Sequence, residues 1–333
     1  MNILFIVFGN NAEHYLQSNF SIGTFLAKKN KERGHFKLSL AGGDISQGST
    51  PWSVSPPATA LIMERQVEMH TKDITINIIT DKPEMYNAVA DDVNIIRVEE
   101  DILNKWKGEF DFFWRIKIKA IEHVYKMFEG QHILYLDSDT FLFGDISYLI
   151  NQLNAGCSFM HLCEGDWKSL KSKTERKMWA QINNNSYGNV TITEKIPMWN
   201  AGVIGIPGKT GMEIIAKTLM ICDDMLKANV TRRLIEQYAF SVALSATTTL
   251  LEAQTQIAHY WSNKEGWNKL INDFFIDHFL KKSSKEEMIT AIKNIDFSLL
   301  PVYAYQPSTR EKLKKFIDSW FPNKREAFIK MST

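Results

Sequence analysis

The apolar positions of the first half of the chain alternate between short continuous runs and runs at helical spacing. Residues 2–8, 74–80 and 133–136 are short apolar runs, which is the pattern of strands that are buried on both faces. Residues 112–128 carry apolar side chains three and four positions apart, as in an amphipathic helix, and Gly130 follows as a stop signal. This succession of strand, helix and strand predicts an α/β fold with a mostly parallel sheet and helices on both faces. Ligands of such sheets bind beyond the carboxyl ends of the strands.

The same patterns predict the remaining elements. A helix should follow Gly9 and run to about residue 29, and the other predicted elements are strands at 93–98 and Val203–Ile206 and helices at 211–228 and 231–245. The chain after residue 267 is mostly helical and moderately basic. We therefore expect a main domain in residues 1–267 and a helical extension in residues 268–333. Residues 41–57 are rich in Gly, Ser and Pro, which predicts a long loop that orders over a bound ligand.

Composition narrows the class of protein. The chain has 333 residues, of which 44% are hydrophobic, so it can bury a large core, and its net charge of +1 gives no sign of a nucleic-acid-binding protein. Its three cysteines have neither zinc-ligand spacing nor an even number for disulfides, which suits a cytoplasmic protein. The N-terminus is predicted to be a first strand rather than a signal peptide. No apolar run is long enough to span a bilayer, so any membrane contact is expected to be peripheral.

The sequence Asp137-Ser138-Asp139 follows the apolar run Ile133–Leu136. In extended backbone, residues two apart point to the same side, so the two carboxylates can converge on one ion. Mg²⁺ and Mn²⁺ prefer oxygen ligands and often share their coordination sphere with substrate phosphates. The pair therefore predicts a divalent metal site that also holds a nucleotide diphosphate. The alternative interpretation is a strand end with two solvated acids.

Polar residues of the second half could complete such a site. Asn200 lies beside Gly202, where backbone can approach a ligand closely, although an ordinary turn before a strand would look the same. Glu236 and Gln237 open a predicted helix, where an acid is either solvated or turned toward a site. His259 could add a nitrogen ligand, which would favour Mn²⁺, or it could be structural.

Three basic residues are candidates for binding donor phosphates. Lys264 could neutralise the charge of a diphosphate as a leaving group forms. Arg115 and Lys119 lie one helical turn apart on one face of a predicted helix. They could bind phosphates, or they could form a solvated face together with Lys117.

Taken in order, these motifs resemble those of the GT-A-fold nucleotide-sugar glycosyltransferases, and most of all the glycogenin and bacterial lipopolysaccharide-galactosyltransferase type. The Asp-x-Asp in ILYLDSDTFLFGDI, the Asn-Ala-Gly-Val segment, the Glu-Gln pair and a late His-aromatic motif follow one another as in that family. The late motif reads HYWSNKEGW, whereas the family pattern is His-aromatic-x-Gly-x-x-Lys-Pro-Trp. Here the lysine comes one residue earlier, and Ser262 and Gly266 replace the family's Gly and Pro. The resemblance covers roughly residues 1–267.

The resemblance implies a GT-A fold and a retaining, metal-dependent transfer of a hexose or similar sugar. The donor would be a nucleotide-diphosphate sugar, with a UDP-sugar expected, and the acceptor would be a glycan, a glycolipid or a protein. Mn²⁺ or Mg²⁺ would be bound by Asp137, Asp139 and His259. Asn200 and Gln237 would face the transferred sugar, whereas Glu236 would serve as a base only if the enzyme inverted configuration. The residues implied to contact the nucleotide are Asn10, Asn11, Asp81, Asp137 and Lys264.

Two other functions fit parts of the pattern. A sugar-phosphate nucleotidyltransferase also uses a nucleotide fold and a metal, but it usually has a Gly-rich, Arg-containing phosphate loop after its first strand, where this chain has Gly9-Asn10-Asn11-Ala12. A catalytically silent carbohydrate- or nucleotide-binding protein on the same fold would not need to keep Asp137, Asp139 and His259 together.

The tail carries one further pattern. Leu313, Phe316, Ile317 and Trp320 fall on one helical face, with lysines beside it. A basic amphipathic helix of this kind can lie in a membrane interface, which would suit an acceptor at the cytoplasmic leaflet. The alternative is that the stripe packs against the catalytic domain.

Overall fold

The computed structural model describes residues 1–37, 74–167 and 172–304, together with several positions between 313 and 320. The loop expected at 41–57 lies outside these described residues. In chain order the strands are β1 Asn2–Val7, β2 Thr75–Thr80, β3 Asn94–Arg97, β4 Ile133–Leu136, β5 Thr140–Leu142, β6 Ser158–Met160, β7 Cys163–Gly165, β8 Ser186–Tyr187, β9 Val190–Thr191, β10 Met198–Trp199, β11 Val203–Ile206, β12 Leu250–Glu252 and β13 Ile257–His259.

The helices cover most of the remaining described chain. In chain order they are α1 Ala12–Lys37, α2 Glu100–Lys107, α3 Arg115–Met127, α4 Ile146–Asn154, α5 Lys173–Ile182, α6 Gly211–Lys227, α7 Ile235–Thr247, α8 Lys264–Leu280 and α9 Lys285–Lys293. Short 3₁₀ helices lie at Pro83–Asp92, Gly208–Thr210, Arg232–Leu234 and Phe297–Leu299. Within the described residues no helix has both the length and the apolar character needed to cross a membrane.

A seven-stranded sheet forms the centre of the molecule, with strand order β3-β2-β1-β4-β11-β6-β12. The pairs β1–β2, β1–β4, β2–β3 and β6–β12 are parallel, and β11 is antiparallel to both of its neighbours. Six of the seven strands therefore run in one direction. The predicted α/β fold with a mostly parallel sheet is confirmed.

Each face of the sheet is covered by helices and by a core of its own. Leu4 of β1 belongs to one core, with α3, α6 and α7, whereas its neighbours Ile3 and Phe5 belong to the other, with α1 and α8. This alternation follows from the two-residue period of a strand. It explains why the strands of the sheet are continuous apolar runs rather than alternating ones.

The predicted strands agree with the structure to within one or two residues at each end. Helix α1 is longer than expected, and the helix predicted at 231–245 begins with a 3₁₀ turn at Arg232–Leu234 before α7. The sequence analysis missed β5, β6, β12 and β13, because three-residue strands are too short to show a period. The expected domain boundary after residue 267 falls inside α8. Ile289 and Ile292 of α9 share a core with Ile3, so the described part of the extension packs onto the same domain.

Candidate functional site

The two aspartates follow β4 at the carboxyl edge of the parallel strands. The backbone N–H of Asp137 donates to the carbonyl of Gly202 at 2.9 Å, which ties the end of β4 to the segment before β11. The Thr140 hydroxyl donates to the Asp137 carbonyl at 2.8 Å and closes the turn between β4 and β5. These bonds hold both carboxylates at the edge of the sheet, as their position after a buried strand predicts.

His259 reaches the aspartates through an antiparallel pair of short strands. Strand β13 pairs with β5 so that His259 lies opposite Thr140, and the N–H of Tyr260 donates to the Asp139 carbonyl at 3.1 Å. The His259 Nε2 atom consequently lies 3.3 Å from an Asp139 carboxylate oxygen. The pairing of β5 with β13 therefore brings together residues that are far apart in the chain.

Asp137, Asp139 and His259 form a group that fits a divalent metal. Each offers one ligand atom, and these atoms lie within 4.8 Å of one another. Asp139 and His259 are buried, and Asp137 is half-buried. Two carboxylate oxygens and one imidazole nitrogen suit Mn²⁺ or Mg²⁺, with room for oxygens of a substrate.

Asp139 is held in its ionised form. Burial alone would raise its pKa, but the hydrogen bond and charge of His259, together with the Lys264 ammonium, outweigh burial and hold the pKa of Asp139 well below its ordinary value. The Lys264 Nζ atom lies 2.8 Å from the second Asp139 oxygen. A metal ligand must be deprotonated, and Asp139 meets that requirement.

Lys117 is a member of this site that the sequence analysis considered only as part of a possible solvated face. Its Nζ lies 3.3 Å from an Asp137 oxygen and 3.1 Å from a Glu236 oxygen, and it donates to the Ala201 carbonyl at 3.2 Å. Burial lowers the pKa of Lys117, but the two carboxylates outweigh this and raise the pKa above its ordinary value. The sequence contained a signal for this position, because Lys117 stands four residues before Ile121 on the apolar stripe of its helix.

Glu236 lies behind Asp137 rather than at a cavity surface. It is 5% exposed, and its carboxylate pairs with Lys117. Burial raises the pKa of Glu236, and the charge of Lys117 offsets part of this effect. Because Glu236 is absent from the described lining of both cavities at the site, the structure does not bring it to a place where it could act as a base on a substrate.

Two cavities meet at the aspartates. The first, of about 300 Å³, lies beyond β1 and is lined by Phe8 and Phe113 among others. The second, of about 480 Å³, is lined by Glu164, Gln237 and Trp261 among others. Residues that line both are Trp114, Asp137, Asp139 and Lys264. A molecule in one cavity and a molecule in the other would thus both lie beside the candidate metal group.

The two amide residues line the second cavity and share one carboxylate. Asn200 Nδ2 and Gln237 Nε2 each donate to a different oxygen of Glu164, both at 3.0 Å. Glu164 was not among the predicted residues. It belongs to β7, a three-residue strand with no sequence signal, and only its pairing with β10 carries it to the site.

The residues expected to bind the base or ribose lie in the loops after β1 and β2. Asp81 accepts from the Gly9 N–H at 3.0 Å and from the Tyr15 hydroxyl at 2.9 Å. Asn10 accepts from Lys82 at 2.7 Å, and Asn11 accepts from the Glu13 N–H at the start of α1. All three residues stand outside the described lining of the two cavities. The bonds of Asp81 and Asn10 join the two loops.

Arg115 and Lys119 are not brought to the site. Arg115 forms a bidentate pair with Asp223, with N–O distances of 2.8 and 2.9 Å, and also donates to the Trp106 carbonyl. Lys119 pairs with Glu122. Neither belongs to the described lining of either cavity. The structure therefore gives no support to phosphate contacts by these two residues.

No protein-family model matches the chain, and neither does any curated protein sequence. Solved structures with a similar chain path include the galactosyltransferase LgtC in complex with donor and acceptor sugar analogs, at 12% identity and a TM-score of 0.41, over 75% of this chain and 73% of that one. Mouse xyloside xylosyltransferase 1 has 10% identity and a TM-score of 0.42, over 76% and 85% of the two chains. The bifunctional glycosyltransferase WbbM has 10% identity and a TM-score of 0.37, over 75% and 38%.

Proposed function

We propose that this protein is a glycosyltransferase that moves a hexose or similar sugar from a nucleotide-diphosphate donor to an acceptor hydroxyl. The observation that carries the proposal is the meeting of two cavities at Asp137, Asp139 and His259. The donor would occupy the first cavity, with its diphosphate beside the aspartates. The acceptor would enter the second cavity, so that the transferred sugar lies where the two cavities join.

The residues at this junction suit the charges of the reaction. Breaking a sugar–diphosphate bond develops negative charge on the leaving phosphate, and a bound Mn²⁺ or Mg²⁺ would stabilise that charge. Asp137, Asp139 and His259 would hold the ion. Lys264 adds a cation that is half-exposed at both cavities and can reach the phosphate oxygens.

Gln237 is the residue that we propose to face the transferred sugar most directly. Its Nε2 donates to Glu164 at 3.0 Å, so its carbonyl oxygen is the atom available to the anomeric carbon, where positive charge develops. Asn200 lines the same cavity. Because Glu236 is buried against Lys117 and is absent from the described lining of both cavities, we propose transfer with retention, in agreement with the family resemblance.

The first cavity suits a nucleotide. Phe8 and Phe113 lie with ring centroids 5.7 Å apart, and Phe113 and Trp114 are about half-exposed. Such aromatic faces can stack on a base. We propose a UDP-sugar as donor. The loops that Asp81 ties together would lie at the base end, with Asn10 and Asn11 beside it.

The second cavity suits a carbohydrate acceptor. Trp114 and Trp261 line it and are 44% and 49% exposed. Tryptophan side chains are on average much more deeply buried. Their flat apolar faces can pack against the C–H face of a sugar ring, while Glu164 and Arg233 offer polar contacts to hydroxyls. We therefore propose that the acceptor is a glycan or a glycolipid rather than a bare protein side chain.

The experiment is a thermal-shift panel of UDP-sugars with and without Mn²⁺, followed by a transfer assay. A ligand that binds only the folded protein raises its melting temperature by mass action. We expect UDP-sugars to stabilise the protein in Mn²⁺ and Asp139→Asn to abolish transfer while the protein still folds. Asp277→Asn, which alters an exposed pair with Lys281 on α8, is the control and should leave transfer unchanged. Full transfer in excess chelator, or in Asp139→Asn, would refute the metal-dependent function.

The same assay separates the two other functions. A nucleotidyltransferase would form pyrophosphate from a nucleoside triphosphate and a sugar phosphate. A silent binding protein would show the thermal shift with no turnover of any donor. Hydrolysis of a UDP-sugar in Mn²⁺ without an acceptor would already speak against both.

We further propose a cytoplasmic enzyme with peripheral membrane contact through the tail. Leu313, Phe316, Ile317 and Trp320 are all exposed, by 48–70%, so packing of this stripe against the catalytic domain is not observed among the described residues. Lys314 lies beside them and is also exposed. The full chain should co-sediment with anionic vesicles at low salt and should be released as salt screens the attraction. A full chain that stays in solution at low salt would end the membrane proposal.

A further inference from the structure

The side-chain amide of Asn200 is oriented by obligate partners at both ends. On one side, the backbone N–H of Gly202 lies 3.0 Å from Oδ1, and a backbone N–H can only donate. On the other side, Nδ2 lies 3.0 Å from a Glu164 oxygen, and an ionised carboxylate can only accept. Exchanging the oxygen and nitrogen of the amide would place two donors against each other and two acceptors against each other. The orientation of Asn200 is thus assigned by its contacts.

This orientation has a consequence for His259. The His259 Nδ1 atom lies 3.0 Å from Asn200 Oδ1, which can only accept, so Nδ1 carries a proton. Nε2 faces the Asp139 carboxylate at 3.3 Å, which also only accepts. In the metal-free protein an N–H at Nε2 can donate to Asp139, and a bound metal would take the place of that proton. A neutral imidazole with its lone pair on Nε2 is the form that binds a metal through Nε2.

Close packing holds the ring in the same position. A Cβ atom added to Gly202 would lie 2.2 Å from two atoms of the His259 imidazole, so the ring lies flat against this glycine. The Gly202 carbonyl accepts from the N–H of Asp137. One short segment, residues 200–202, therefore contacts two of the three candidate ligands.

We propose that Glu164 and Asn200 are positioning residues for His259. Glu164 orients the amide of Asn200, and Asn200 sets the tautomer and ring direction of His259, so that Nε2 is the ligand atom. The proposal rests on the metal site of the proposed function and adds two residues that act through the ligand. Loss of such outer partners typically weakens metal binding by roughly 10–100-fold.

Two readouts test this without any glycosyl transfer. Long-range ¹H–¹⁵N spectra of the metal-free protein report whether Nδ1 of His259 carries a proton. Binding of Mn²⁺ is followed by the loss of the free-ion signal in electron paramagnetic resonance. The His259 signals are assigned by their disappearance in His259→Gln.

Asn200→Leu removes the acceptor while keeping a similar volume. We expect His259 to lose its preference for the Nδ1–H tautomer and the dissociation constant for Mn²⁺ to rise roughly 10–100-fold. Glu164→Gln should have a smaller effect in the same direction, because a glutamine carbonyl can accept from only one of the two amides that Glu164 holds. Glu252→Gln is the matched control. Glu252 accepts from the Cys163 N–H, next to Glu164, but contacts neither amide.

The exchange variant Asn200→Asp/Glu164→Gln gives the sharpest outcome. The carboxylate that this variant introduces can still accept from His259 and Gly202 with one oxygen, and the introduced glutamine amide can donate to its other oxygen. Tautomer and Mn²⁺ affinity should return toward wild type, beyond either single change. If Asn200→Leu does not fold, Glu164→Gln and the exchange variant decide the matter.

Three results would overturn the proposal. These are a wild-type Nδ1 that carries no proton, an Asn200→Leu affinity within about twofold of wild type, or an exchange variant no better than the single changes. A wild-type protein with the Nδ1–H tautomer that binds no Mn²⁺ would instead refute the metal-dependent function and the ligand role of Nε2, while showing that Asn200 still sets the ring.

Discussion

Helix α3 carries three basic residues within five positions, and its two faces place them in different surroundings. Lys117 points into the site, where Asp137 and Glu236 hold its ammonium. Arg115 and Lys119 lie on the other side of the helix and pair with Asp223 and Glu122. Residues two apart on a helix are rotated by about 200°, so Lys117 must face away from both neighbours. Residues four apart share a face, which is why Arg115 and Lys119 stay together.

Pairing alone does not separate a charge at the candidate site from a charge elsewhere, because all three cations have carboxylate partners. The pair of Lys117 with Glu236 is the most deeply buried of the three, since the two side chains are 13% and 6% exposed. A buried charge that loses its partner is expensive, whereas a surface pair contributes little.

Lys117→Met should have the largest effect. It leaves the carboxylates of Asp137 and Glu236 close together without their shared cation, and removing one partner of a buried pair typically costs about 3–5 kcal/mol. Urea unfolding measures this loss. Lys117→Met/Glu236→Leu, which removes the second buried charge as well, should recover part of the stability. A Lys117→Met protein as stable as Lys119→Gln would show that the two faces of α3 do not differ.

Acid should lower the free energy of unfolding through His161. This residue is 1% exposed, and burial, followed by the charge of His259, lowers its pKa to about 3. The unfolded chain binds a proton near pH 6.5 while the folded chain does not, so the stability due to a neutral His161 is complete above about pH 6.5 and is lost as pH falls toward 3. Between about pH 7.0 and 5.5 this residue should lower the free energy of unfolding by about 1 kcal/mol.

Unfolding in urea at the two pH values, in wild type and in His161→Gln, isolates this contribution. The difference in stability between the two proteins should shrink as pH falls, because only wild type carries the buried imidazole. A difference that does not change with pH would mean that His161 has the same pKa in the folded and the unfolded protein.

Arg115→Gln should have a moderate effect on stability and none on ligand binding. Its bidentate pair is partly exposed, at 16% for Arg115 and 39% for Asp223, so we expect a loss of up to about 1 kcal/mol. UDP and Mn²⁺ affinities should equal those of wild type. A tenfold loss of UDP affinity, roughly 1.4 kcal/mol, would restore the phosphate role that the sequence first suggested for Arg115.

Lys119→Gln should have the smallest effect. The pair with Glu122 lies within one helix, and Lys126 also pairs with Glu122 at 2.7 Å and can compensate. Pairs of this kind contribute about 0.2–0.5 kcal/mol, and salt weakens them. Thermal unfolding at low and high salt should show a difference from wild type only at low salt. A larger loss of stability that persists in high salt would mean that the Lys119 charge is buried like that of Lys117 rather than partly exposed like the pair of Arg115.

Two kinds of feature could be predicted from the sequence alone. One is the set of strands and helices with a clear apolar pattern, and the other is the pair of carboxylates at the end of β4. The apolar runs located β1, β2, β3, β4 and β11, and the position of Asp137 and Asp139 after a buried strand placed both carboxylates at the ligand edge. These inferences hold because a strand or helix period is local, and because parallel strands end at a common edge. The late His259 motif added the third candidate ligand, through the resemblance in the order of the motifs.

Which other polar residues lie at the candidate site depends on the tertiary structure. Lys117 and Glu164 lie there, and Glu236 is buried against Lys117 without lining a cavity. Arg115 and Lys119 pair with carboxylates away from the site. Glu164 depends on the pairing of β7 with β10, and the contact of His259 with Asp139 depends on the pairing of β5 with β13. Strands of two or three residues have no period of their own, so their partners are set by the packing around them. A charged side chain likewise goes to whichever carboxylate the fold places within reach, and that carboxylate can lie anywhere in the chain.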